Sequence, residues 1–314
     1  MQKVFDILLS YLRTAGRPRR SAVLLLCLTA AFVFNYTHDF KRTVMNVGEG
    51  SWLSVGGYML YYGVPYLISL FVWTHGQESG RRARSARVLT IVVLGLLVLA
   101  LNRAAIAWTV HAVTAAVDDR AAGWYLGRIA VNATRLLALA LPLLAIRRWI
   151  DVGRADFYGL TRRGFELRPY AIMLAVMVLP LAAVSFLPSF QQTYPVYRPG
   201  FVEAATGWSR WLTWPVHEMS YALRFVSVEF FFRGFLVLGL ARYLGRDAIV
   251  PQVVLYAIWH FGKPMPEAVG SVFGGWILAV LALETGSIFG GILIHMGIAL
   301  LMNLGAVAAA ALLG

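Results

Sequence analysis

The stretch Tyr170–Leu187, YAIMLAVMVLPLAAVSFL, is apolar along its whole length and carries no charge. A helix that is apolar on every side belongs in hydrocarbon or in a deep core, because a surface helix needs a polar face. At 1.5 Å per residue the stretch reaches about 27 Å, close to the thickness of a bilayer's hydrocarbon layer. Comparable runs occur at Ala22–Tyr36, Trp52–Trp73, Val88–Trp108, Ala122–Ile146, Trp211–Leu244, Ala248–Phe261, Glu267–Leu283 and Ser287–Leu313. Only helices and closed barrels satisfy the backbone in lipid, and these runs are too long and too continuously apolar for barrel strands. The fold class expected is therefore all-α, a polytopic transmembrane helical bundle of about eight spans. The first run is short, the sixth is too long for one simple span, and the seventh is short again.

Composition agrees. The 314 residues are 59% hydrophobic and 14% charged, with a mean hydropathy of +0.68, whereas soluble domains carry roughly 25% charged residues. The net charge of +13 does not indicate nucleic acid. The arginines stand in short clusters between apolar runs: Arg13, Arg17, Arg19 and Arg20; Arg81, Arg82, Arg84 and Arg87; Arg147, Arg148, Arg154, Arg162, Arg163 and Arg168; Arg242 and Arg246. These loops alternate with less basic ones such as Asp118-Asp119-Arg120, so the positive-inside rule makes the clusters cytoplasmic and puts the N-terminus inside. Cys27 is the only cysteine, which excludes a disulfide framework and a cysteine-type zinc site; it reads as a small buried hydrophobe. The basic start followed by Ala22–Tyr36 lacks a small-residue cleavage pattern and reads as a first span rather than a cleaved signal. Gly274-Gly275 and Gly290-Gly291 are expected where helices pack closely.

Ionisable residues inside spans are costly and are functional candidates by default. Four lie in the last third: Glu229 and Arg233 in SVEFFFRGF, His260 in YAIWHFGKP, and His295 in GGILIHMG. Glu229 and Arg233, four apart, share a helical face and can pair. Measured from cytoplasmic ends near Arg242, Asp247 and Thr285, Glu229, His260 and His295 lie roughly 20, 20 and 15 Å deep, so three antiparallel neighbours bring them to one level. A buried glutamate can act as general base on water, histidine can stabilise an oxyanion, and arginine can set the glutamate's charge. That chemistry suits peptide hydrolysis without a covalent nucleophile. Two histidines and a carboxylate could instead hold zinc, the less favoured reading; the His-Glu-x-x-His motif is absent, since His217-Glu218 is followed by Tyr221. Second-rank candidates are Glu267, Glu218 and Asn303. Glu267 after Pro266 also fits an ordinary helix start, and Glu218 an interfacial carboxylate. Tyr221 and Arg224 read as substrate contacts or as interfacial anchors.

Glu229-x-x-x-Arg233-Gly234, His260 and His295 on successive late spans resemble the CPBP family of intramembrane glutamic endopeptidases, whose relatives include the type II CAAX prenyl endopeptidases, or Abi proteins. The resemblance covers about residues 211 to 305. It implies a membrane-embedded helical bundle that cleaves near the C-terminus of prenylated proteins or processes other membrane-associated peptides. In that scheme a glutamate activates water, and histidines with an asparagine hold the oxyanion. This chain departs from the pattern twice. The first motif of the family usually has two adjacent glutamates, the first taken as the water activator; here that position is Val228. An asparagine usually follows the last histidine by four; here that position is Ala299, and the nearest asparagine is Asn303.

The organisation expected is thus 1–200 as membrane spans without a chemistry motif and 201–314 as the peptidase-like core. The expected setting is the inner (plasma) membrane, multi-pass, with a membrane-associated protein or peptide as substrate and the lipid bilayer as solvent. No nucleic acid and no cofactor are expected. A C-terminal sorting signal, as cleaved in the myxosortase branch of the family, is one specific case. The alternatives are a catalytically inactive relative that binds membrane peptides, which Val228 favours, and a transporter that relays protons through the same cluster.

Overall fold

The computed structural model describes residues 2–46, 51–153 and 156–313; Arg154 of the third basic cluster lies outside them. The described residues are helical throughout, with turns and loops between helices and no strand among them. In chain order the helices are α1 (Gln2–Ala15), α2 (Pro18–His38), α3 (Phe40–Asn46), α4 (Trp52–Thr74), α5 (Glu78–Ala83), α6 (Ala86–Ala116), α7 (Arg120–Trp149), α8 (Leu167–Val184), α9 (Pro188–Thr193), α10 (Phe201–Thr206), α11 (Arg210–Glu229), α12 (Leu240–Leu244), α13 (Ile249–Trp259), α14 (Met265–Thr285) and α15 (Phe289–Leu313).

Among the described residues, seven helices are long and apolar enough to cross a membrane: α2, α4, α6, α7, α8, α14 and α15. The chain is a multi-pass, all-α bundle. The opening stretch forms α8, of which only Tyr170 is buried; its apolar character faces outward, where only lipid can accept it. The sixth run forms a continuous helical path, Arg210–Leu244, whose middle, Phe230–Gly239, is π-helical. The seventh, α13, has 11 residues and reaches about 17 Å, roughly half the hydrocarbon layer. Cys27, expected to be buried, is exposed on α2; a run that is apolar all round does not reveal which face turns inward.

The basic loops gather at one end of the bundle. Arg17 holds Asp247 through Nη1 at 2.6 Å and Nη2 at 3.1 Å, and Arg20 donates to the Trp73 carbonyl. Arg242 donates to the Val152 carbonyl and pairs with Asp151; Ser287 donates to the Thr161 carbonyl. The opposite end carries Tyr125, which donates to the Thr213 carbonyl, and Glu203, which accepts from Tyr197 at 2.6 Å, from Thr213, and from the Gly200 amide at 2.5 Å. Burial opposes ionisation of Glu203, but those hydrogen bonds outweigh it and lower its carboxyl to about 2. One hydrophobic cluster runs from Leu28 to Ala299 and includes Phe231, Phe232, Phe235 and Tyr256, so the first spans and the last share a core.

Candidate active site

The π-helical turns begin immediately after Glu229. Such segments widen a helix and recur at functional sites. Here Glu229 and Arg233 keep contact across the junction, with Arg233 Nη1 2.9 Å from Glu229 Oε1, and neither residue has any exposed surface. The partner helix α15 supplies His295, whose Nδ1 lies 2.6 Å from the same Oε1. Helix α13 supplies Tyr256, whose hydroxyl is 2.7 Å from His295 Nε2. The Arg233 guanidinium lies over the Tyr256 ring, 4.3 Å from its centroid. An acid, a guanidinium, an imidazole and a phenol from three segments thus close into one buried network.

The polarity of the network follows from its partners. A carboxylate accepts, so His295 Nδ1–H donates to Glu229, and Nε2 is left to accept from the Tyr256 hydroxyl. His260 stands on the other side of Tyr256. Its ring packs edge-on against the Tyr256 ring at 4.4 Å, and its Nδ1–H donates to the Tyr256 carbonyl at 2.8 Å. Its Nε2 therefore carries the lone pair, and it has no hydrogen-bond partner among the described residues.

Close helix approach makes this arrangement possible. A Cβ at Gly291 would lie 2.1 Å from Glu229 Oε2, and one at Gly275 would lie 2.9 Å from the Tyr256 ring. Gly290 likewise admits the Tyr170 ring, whereas a Cβ at Gly274 would meet nothing within 4 Å. The glycine pairs are packing positions at three of four places. The C-terminus of α13, which ends inside the bundle, has its carbonyls answered by Lys41. The Lys41 Nζ donates to Trp259 O at 2.6 Å and to Phe261 O at 2.5 Å, a cation placed where the helix dipole favours one.

The second-rank residues stand apart from this network. Glu267 occupies the first turn of α14 and pairs with Lys263 at 3.5 Å while accepting from the Tyr194 hydroxyl at 2.7 Å. Asn303 accepts from the Val196 amide at 3.1 Å and donates to Glu218 Oε2 at 2.7 Å. Asn303 and Glu218 therefore tie the loop before α10 to α15 and α11, two turns beyond His295. An aromatic column connects the two levels: His217 stacks on Tyr221, Tyr221 meets Phe225 edge-on, and Phe225 stacks on His295 at 5.0 Å.

Reasoning from ionisable residues in the late spans passes over Tyr256, which is neutral. Its place four residues before His260, on one helical face, was the available signal. It also passes over Arg103, Arg128 and Arg135, charges within α6 and α7. Arg135 and Arg224 line a large cavity of about 760 Å³ between α6, α7 and α11, and both also line a small one of about 20 Å³ with Ser227, Val228 and Trp259. Among the described residues, no group of three or more His, Cys, Asp or Glu side chains is placed to hold a metal ion.

Fold and site together define a polytopic membrane protein with an acid–guanidinium–imidazole cluster sealed at membrane depth. Residues 210–301 match the family model described as type II CAAX prenyl endopeptidase Rce1-like. That segment, under a third of the chain, is of the CAAX-protease-like family which the motifs had pointed to, a family of membrane proteases. Glu218, Glu229, Arg233, His260, Glu267 and His295 fall inside it, and Asn303 falls just beyond. No curated protein and no solved structure matches the chain.

Proposed function

We propose that the chain is an intramembrane endopeptidase of a bacterial-type inner membrane, hydrolysing a peptide bond in a membrane-associated substrate with water as the nucleophile. The observation that carries this reading is the sharing of Glu229 Oε1 between Arg233 and His295 in a fully buried pocket. Arg233 balances the Glu229 charge, which makes an ionised carboxylate tolerable there. The carboxylate fixes the His295 tautomer and raises the basicity of its Nε2, as an orienting acid does for any catalytic imidazole. Glu229 thus serves as base-orienter, the role left to it by Val228. The His260 Nε2 lone pair is the acceptor for a proton of the attacking water, and once protonated it donates to the oxyanion.

A non-catalytic peptide binder is the second reading. It is favoured by Val228, which contributes an isopropyl group to the wall of the small cavity in place of a carboxylate. Purified Glu229→Ala and His260→Ala proteins in proteoliposomes, assayed against membrane peptides, separate the readings. A peptidase loses turnover in both variants. A binder cleaves nothing as wild type yet keeps its peptide complex in His260→Ala. A proton-coupled transporter shows pH-dependent flux and no cleavage.

A further inference from the structure

The large cavity is a pit of like charge. Its lining includes Arg120, Arg128, Arg135 and Arg224 and no Asp or Glu, and the small cavity beyond it adds Arg103, again without an acid. Arg135 Nε is buried with no hydrogen-bond partner among the described residues. Arg224 rests on the Tyr221 and Phe225 rings, at 4.8 and 5.3 Å. Arg128 donates one bond, to the Val196 carbonyl at 3.0 Å. Like charges held together in a low-dielectric region repel, and the arrangement is stable only with an anion among them.

We propose that this cavity receives the free C-terminal carboxylate of an apolar peptide, inserted carboxylate-first from the end opposite the basic loops, with Arg135 and Arg224 as its receptors. Depth selects this occupant. Arg135 is fifteen residues along α7 from Arg120, about 22 Å into a hydrocarbon layer of about 30 Å. A phospholipid keeps its phosphate at the headgroup level, so it places no anion there in its ordinary orientation. The walls suit a peptide's side chains, being built from Ile106, Val110 and Val131. Guanidinium forks are matched to carboxylates and bind them bidentately. The position also connects with the site. Arg224 lies on Phe225, and the other neighbour of Phe225 is His295. A carboxylate on Arg224 is therefore one aromatic ring from the Glu229–His295 pair, which makes the substrate a peptide cut close to its own C-terminus. This part rests on the peptidase reading; the carboxylate site itself does not.

The test uses the full-length wild-type protein in nonionic detergent and two probes: a dansylated, leucine-rich hexapeptide with a free carboxylate, and the same peptide as its C-terminal amide. Fluorescence anisotropy reads binding, and mass spectrometry of the same samples reads cleavage. The acid is expected to bind about tenfold or more tightly than the amide, the scale of a charge-assisted hydrogen bond. Arg135→Gln and Arg224→Gln should abolish that difference. Equal affinity for acid and amide overturns the proposal, and needs no variant to be folded. Displacement of the acid by dioleoylphosphatidylglycerol at equimolar amounts also overturns it, assigning the arginines to lipid phosphate. Acid-selective binding without cleavage keeps the carboxylate site and sinks the peptidase reading. Cleavage with no acid preference does the reverse.

Discussion

His295 Nδ1 and Glu229 Oε1 are 2.6 Å apart although 66 residues separate them in the chain. The contact joins α15 to the point where the α11 path turns π-helical. Gly291 opens the way, because α15 can approach Glu229 only where it has no side chain. Around this contact the consequences of substitution can be ranked.

Glu229→Gln leaves Arg233 buried without its counter-charge, so it is expected to destabilise the protein by about 3–5 kcal/mol. The double variant Glu229→Gln/Arg233→Met removes the stranded charge and should recover most of that loss. Thermal unfolding in detergent checks both. A double variant no more stable than the single one contradicts the pairing.

Gly291→Ala drives a methyl group into the Glu229 carboxylate, since its Cβ would stand 2.1 Å from Oε2. Activity should fall to the level of the Glu229 variants, with a stability loss of about 1–3 kcal/mol from overpacking. Gly274→Ala, where a Cβ meets nothing within 4 Å, should match wild type in both. Turnover and melting measured in parallel decide the matter.

Tyr256→Phe keeps the ring under Arg233 and against His260 while deleting the hydroxyl bonded to His295 Nε2. Stability should change by no more than about 1.5 kcal/mol. Cleavage should fall by about tenfold or more, in kcat rather than KM, because the lost contact acts on the proton-carrying imidazole.

The Glu203 carboxyl, lowered to about 2 in the fold from 4.5, gives its segment an acid-sensitive anchor. A depressed folded-state value means that the stabilisation is fully present above about 4.5 and is lost as pH falls through about 2. Hydrogen exchange over residues 200–214 should accelerate across that window in wild type. In Glu203→Gln the same segment should exchange fast at pH 6 already and show no further step.

The helical class was legible from composition, because a chain this apolar has no water-compatible surface. Tyr170–Leu187 alone indicated a lipid-facing helix, and α8 is one. Depth counting along three helices placed Glu229 and His295 at one level, and they touch. What sequence could not supply was rotation about each helix axis. Cys27 turns outward, and Asn303 turns toward Glu218 and the Val196 amide. Nor could it foresee the π-helical segment, which depends on how Gly234 and Gly239 pack against Tyr158. Arg103, Arg128 and Arg135 were hidden inside otherwise apolar runs, where single charges scarcely alter the hydropathy that marks a span.

The most direct measurement is mass-spectrometric comparison of new peptide termini in membranes from cells producing the wild-type chain, Glu229→Gln or His260→Ala, with expression levels matched. The peptidase account predicts a defined set of termini, within or beside membrane segments, present with wild type and absent with both variants. An identical set in all three, or none in any, contradicts it.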